Sequence, residues 1–127
     1  MKIIKFIIIL IIVTSCGRAL PKGDFNSEAW KADPLACKAE RLKLIPGFET
    51  IKDKLRGVSE KDLQKVLGKP EITSLTEQSE RNYIYFLEPG AQCQDKTTVS
   101  GANKLIVRIS SLGWVTELTY ENPVPKP

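Results

Sequence analysis

Histidine is missing altogether from the 127 residues, and methionine (one), tryptophan (two) and tyrosine (three) are scarce. The first absence excludes the most. Without an imidazole there is no Ser/His/Asp or Cys/His catalytic arrangement, no histidine-based zinc site and no histidine titration near neutral pH. Nor does the sequence contain a Cys-x-x-Cys pair, a glycine-rich phosphate loop or a metal-ligand spacing. Glu60 and Asp62 lie two apart on a predicted helix and so do not face each other, and Glu88 stands beside Pro89-Gly90 without an identifiable partner. The expectation is a protein that is not an enzyme and takes no metal and no cofactor. Strong charge is lacking too: 19 Lys and Arg against 15 Asp and Glu give +4. The cations at 52, 54, 56, 61, 65 and 69 alternate with Glu49, Asp53, Glu60 and Asp62, which describes a solvated helical surface and no nucleic-acid partner. The length fits one small domain.

What is present starts with a leader pattern. Met1 to Lys5 are basic, Phe6 to Val13 are eight apolar residues in a row, and Thr14-Ser15-Cys16 follow. That run is far below the roughly 20 residues needed to span a bilayer, so the segment reads as a secretory signal and not a membrane anchor. Val13-Thr14-Ser15-Cys16 resembles a bacterial lipobox, in which cleavage makes the cysteine the first residue of the mature chain and its sulfur carries lipid. The resemblance implies residues 1–15 as signal peptide and Cys16 as the lipidation site, leaving 17 basic against 15 acidic residues. Acyl chains stabilise attachment by roughly 0.8 kcal/mol per buried CH₂, so two or three tether the protein to the membrane permanently. Gly17 stands where an aspartate directs retention at the inner membrane, which implies the outer membrane. The absence of an acidic run after Cys16 points to the periplasmic face.

Beyond the anchor only Cys37 and Cys93 remain. An exported compartment is oxidising, and one bond between them is the simplest pairing; the alternative is two thiols that do not meet. Residues 16–26, with Gly17, Pro21, Gly23 and Asp24, read as a flexible linker reaching roughly 35 Å when extended. Residues 27–121 form the domain, and 122–127, with three prolines in the last five positions, an extended tail.

Within the domain, Asp33-Pro34 signals a helix start running to about Ile45, and Pro46-Gly47 signals its end. Phe48, Ile51 and Leu55 recur at helical spacing until Gly57. Ser59 caps a further helix with Val58 and Leu63 as its staple, Leu63, Val66 and Leu67 as its buried stripe, and Gly68 with Pro70 as its stop. The period then changes to alternation. Arg81 to Leu87, Lys104 to Ile109 and Trp114 to Tyr120 read as strands, the last two joined by Ser110-Ser111-Leu112-Gly113. The predicted fold is α+β: two or three N-terminal helices packed on a three-stranded antiparallel β-meander, with Glu88 to Asn103 a long connection holding Cys93.

That order, with Gly57-Val58-Ser59, Leu67-Gly68-Lys69-Pro70 and Tyr83-Ile84-Tyr85 as landmarks, resembles the SmpA/OmlA (BamE-like) family of small outer-membrane lipoproteins and the related fold of β-lactamase inhibitor proteins. The likeness covers about residues 47 to 120. Phe25 to Asp33, with Cys37 and Arg41, departs from the BamE pattern and looks like the N-terminal segment of other small bacterial lipoproteins. The resemblance implies a lipid-anchored binding or scaffold protein, accessory to an outer-membrane complex, with an envelope protein as partner. The inhibitor relation implies the alternative, an inhibitor or immunity-type module that blocks an envelope hydrolase. Small-ligand binding ranks last, because so small a core leaves little room for a deep pocket.

Two groups are candidates for partner contact. Trp30, Asp33, Cys37 and Arg41 are spaced by three, four and four, with Trp30 and Arg41 of the types enriched at binding hot spots. Each also has a sufficient local reason, which takes precedence: Trp30 packing on the sheet, Asp33 capping, Arg41 in an ion pair. Tyr83 and Tyr85 offer an aromatic strip, although such strands are more often half-buried.

Overall fold

The computed structural model describes residues 20, 21 and 23–122; the signal segment, Cys16 and the prolines of the tail lie outside these. Helices precede strands in the order α1 (Ser27–Lys31), α2 (Glu40–Ile51), α3 (Glu60–Leu67), β1 (Ile72–Leu75), β2 (Arg81–Phe86), β3 (Lys104–Ile109) and β4 (Val115–Tyr120). The strands form one antiparallel meander in the order β1-β2-β3-β4. The class is α+β, with four strands in place of the expected three. β1 is only four residues long and has one β-branched pair, Ile72-Thr73, too little alternation to register as a strand. It exists because it pairs with β2, Ile72 opposite Ile84 and Leu75 opposite Arg81. No helix among the described residues is long and apolar enough to cross a membrane.

One face of the sheet carries the main core. Tyr83, Tyr85 and Leu87 alternate inward with Leu105, Val107 and Ile109, and they meet Trp30, Ile45, Phe48, Ile51, Leu55, Leu63 and Leu67 from the helical side. The sequence of β4 is ambiguous because Val115 and Leu118 are both apolar at odd spacing. A register shift between Arg108 and Ile109 resolves it: Val115 pairs with Ile109 but Glu117 with Arg108, so Thr116 is the extra residue of a bulge and both apolar side chains reach the core.

α2 differs from expectation at both ends. It starts at Glu40, not at Asp33-Pro34, where the chain instead makes a single 3-10 turn, Pro34–Ala36. Asp33 still caps a helix, but at a distance: its carboxylate accepts from the backbone N–H groups of Lys38 (2.8 Å), Glu40 (3.0 Å) and Arg41 (3.3 Å). At the other end the helix runs through Pro46-Gly47 to Ile51. An interior proline costs a helix about 3 kcal/mol, offset here by burying Ile45, Phe48 and Ile51 on one side. Gly47 is there for space, not as a stop. A Cβ on it would stand 2.6 Å from the carbonyl oxygen of Asp24, because the segment before α1 crosses over the helix at that point.

That crossing also revises the described part of the expected linker, residues 20, 21 and 23–26. Phe25 packs edge-on against Trp30 and Phe48, with ring centroids 5.7 and 5.6 Å away, and Leu20 lies against the core as well. At the other boundary Asn122 donates its N–H to Asn103. α3 agrees with its sequence signals: Ser59 accepts from the N–H of Asp62, Val58 and Leu63 are both buried, and Gly68 ends the helix at φ 75°.

The outer face of the sheet has a smaller apolar cluster at one end, Phe86, Ala36 and Ala102 with Leu35 and Ile72 against it. Two irregular segments cover it, the turn at 34–38 and the long connection after β2, and the disulfide Cys37–Cys93 joins them. Gln92, fully buried, reinforces the joint by donating to the carbonyls of Leu35 (3.1 Å) and Glu88 (2.9 Å). The turn needs support, since Leu35, Ala36 and Ala39 all have φ near +60°, a left-handed conformation unfavourable to residues with a side chain. With the cysteines 56 positions apart in sequence, replacing both by serine is expected to lower the unfolding free energy by about 4 kcal/mol. Urea titration of the two proteins measures this, and a change below about 1 kcal/mol would show that Gln92 and Asp33 hold the turn without the bond.

Candidate functional site

The structure brings three of the four residues of the candidate cluster, Trp30, Asp33 and Arg41, together, but inside the molecule. Trp30 is fully buried and Arg41 is 2% exposed. The alternative of a partner-facing cluster is therefore set aside in favour of an internal node: Trp30 packs in the core, Asp33 caps and Arg41 is ion-paired, as their local reasons imply, and the remaining member, Cys37, is occupied by the disulfide. The spacing Arg41, Ile45, Phe48 is itself the signal: it puts the arginine on the buried stripe of α2.

The guanidinium of Arg41 lies 4.8 Å from the centre of the Trp30 ring and donates through Nε to the Trp30 carbonyl (3.3 Å) and through Nη1 to the Phe86 carbonyl (3.0 Å). Nη1 also makes an ion pair and hydrogen bond with Glu71, whose side chain is 7% exposed. Glu71 is a functional-looking residue that sequence reasoning does not reveal. It stands 30 positions from its partner, between Pro70 and a short strand, where nothing local calls for a buried carboxylate. Burial holds its carboxyl above the ordinary carboxylate value, against the lowering effects of the Arg41 charge and hydrogen bond and of backbone hydrogen bonds from Phe86 and Leu35.

Tyr83 and Tyr85 are corrected in the same way. Their rings are 5% and 0% exposed on the core face of β2 and offer no aromatic strip to a partner. The hydroxyl of Tyr83 donates to Glu60 (2.8 Å) and accepts from Gln64 (3.3 Å), fastening β2 to α3. That of Tyr85 donates to the Gly68 carbonyl (2.9 Å) just past the end of α3. Burial raises the pKa of both phenols, so both stay protonated donors at neutral pH.

Open depressions lie on the surface of the described residues. One of about 290 Å³ lies over the Arg41–Glu71 pair, between Lys31, Lys69 and Pro70. Another of about 340 Å³ lies beside the β1–β2 turn and is lined by Thr76, Glu77, Gln78, Glu80 and Arg108. Neither is enclosed or apolar in the manner of a small-ligand site. No group of three or more His, Cys, Asp or Glu side chains among the described residues is placed to hold a metal ion. Comparison with protein-family models yields no match, and comparisons with curated proteins and with solved structures yield none either.

Two outcomes follow for the node. Arg41→Met should cost about 3–5 kcal/mol, because it leaves the Glu71 carboxylate buried and unpaired, whereas the double variant Arg41→Met/Glu71→Met should recover much of that loss; chemical unfolding of the three proteins checks the order. The pH dependence has a defined sign. A carboxyl held above its ordinary value of 4.5 in the folded state stabilises most when protonated, and its contribution falls as pH rises from 4.5 through the raised folded value. The stability of the native protein relative to Glu71→Gln should therefore decline over that interval, and a rising difference would show the ion pair outweighing desolvation.

Proposed function

We propose that this chain is a lipid-anchored protein of the bacterial outer membrane, facing the periplasm, which works by binding an envelope protein as an accessory or scaffold. The observation that carries the reading is how the three cysteines are divided. Cys37 and Cys93 are spent on one bridge that ties the turn before α2 to the connection after β2, and such bonds persist in exported, oxidising compartments. That leaves Cys16, behind a basic start and eight apolar residues, where a lipobox cysteine stands. The α+β architecture, helices first and an antiparallel meander after, supports the BamE-like resemblance as far as class. The buried polar side chains of Arg41, Asp33, Gln92 and Glu71 are bonded to backbone or to each other and so hold the fold together.

The test is a gentle detergent extraction of the tagged full-length protein from its native envelope, with the intact mass of the mature chain measured on the same sample. The expected result is a mass corresponding to acylated Cys16, together with an envelope protein at fixed stoichiometry. An acylated protein recovered alone would defeat the scaffold reading and favour the inhibitor alternative. An unmodified Cys16 would remove the membrane tether.

A further inference from the structure

The β3–β4 turn is unlike the rest of the surface. From Ile109 to Thr116 eight residues pass without a charge, in a protein 27% charged. At its tip Leu112 is 83% exposed, and Trp114 is 51% exposed. These side chains are not on a loose loop. Gly113 accepts from the N–H of Glu60 (2.9 Å), Val115 exchanges backbone hydrogen bonds with Gly57 (2.7 Å) and Val58 (2.9 Å), and Trp114 pairs with Ser59, so the tip is fixed against the start of α3. The acidic group nearest Gly113, Glu60, is ion-paired with Arg81 at 2.6 Å and accepts a hydrogen bond from the Tyr83 hydroxyl. Asp62, beside the tip, is paired with Lys65 at 3.2 Å.

The chain's first described residues arrive at the same place. Leu20 and Pro21 line a cleft of about 90 Å³ together with Trp114 and Lys54. Only residues 17–19 lie between Leu20 and Cys16. Four residue steps span at most about 14 Å, whatever their conformation. A lipid on Cys16 therefore holds this side of the domain close to the bilayer. That side has the composition of a membrane-interface contact: an aliphatic tip, a tryptophan with both an apolar ring and an N–H, and in Lys54 a lysine that has no ion-pair partner among the described residues and can reach lipid phosphate.

We infer that Leu112 and Trp114, with Leu20 and Lys54 beside them, dock into the bilayer interface and fix the orientation of the domain on the membrane. The inference rests on the lipid-anchor reading of Cys16, and the two fail separately.

The two tryptophans make the test direct. Trp30 is fully buried and serves as an internal reference, while Trp114 reports on its surroundings. The full-length protein is purified from its envelope, the mass of its N-terminus is recorded, and it is reconstituted into vesicles of phosphatidylcholine with brominated acyl chains. The expected result is an acylated Cys16 and roughly a twofold loss of Trp114 emission, with a shift to shorter wavelength. Trp114→Phe should leave an emission that the vesicles do not quench. Leu112→Asp should abolish the quenching while leaving the thermal midpoint unchanged, since that side chain is almost wholly in solvent. Acylated protein whose Trp114 is quenched by aqueous acrylamide and not by brominated lipid would overturn the docking and leave the anchor standing. A non-acylated Cys16 would overturn both.

Discussion

The guanidinium of Arg41 ties together parts of the chain that share no neighbourhood in sequence. Moving such a group out of water costs several kcal/mol, and the cost is offset only where acceptors converge on it. Here they come from α1 through the Trp30 carbonyl, from the start of β1 through Glu71 and from the end of β2 through Phe86. None of these groups can move away without stranding a buried charge. The helical layer is thereby registered on the sheet at one corner, and Tyr83 and Tyr85 register it at another through hydroxyl bonds to α3 and its C-terminal glycine. Apolar packing supplies most of the driving force for collapse, whereas these directional contacts select one arrangement of helices over the sheet.

The two faces of the sheet are finished differently. The inner face is closed by regular helices whose spacing matches the strands. The outer face is closed at one end only, by segments with little regular structure and three strained residues, which depend on a covalent bond, a buried glutamine and the Asp33 carboxylate. Lys104, also buried, belongs to this end: its ammonium donates to the carbonyls of Ser100 (2.6 Å) and Ala102 (2.8 Å) and pairs with Glu121 (2.9 Å). Where the chain lacks periodic secondary structure it uses fixed polar contacts in its place.

Legibility in the sequence follows the range of the interactions. α3 is readable almost residue by residue, because its cap, staple and stop are set by neighbours within four positions. β2, β3 and β4 are readable from alternation, and only the bulge at Thr116 hides the inward face of β4. Pro46-Gly47 misleads because a local stop signal is overruled by distant packing: Gly47 exists to let Asp24 pass over the helix. β1 is hidden for the same reason, its existence resting on a partner strand and not on its own composition. At the candidate site the local roles of Trp30, Asp33 and Arg41 are legible, and the partner-facing alternative is not what the fold uses. Trp30 and Arg41 act as a pair in the interior, and no neighbour in sequence reports Glu71 as the carboxylate that makes this possible.

The strap of chain that crosses α2 at Gly47 has a mechanical meaning. A pull applied near residue 20 does not meet a slack tether. It is transmitted to Phe25, which packs edge-on against the stacked Trp30 and Phe48 rings, and from there into the helix beneath and the guanidinium node beside it. The molecule is held by its own core, so a force at its N-terminal end must shear an aromatic cluster before it can peel the domain away.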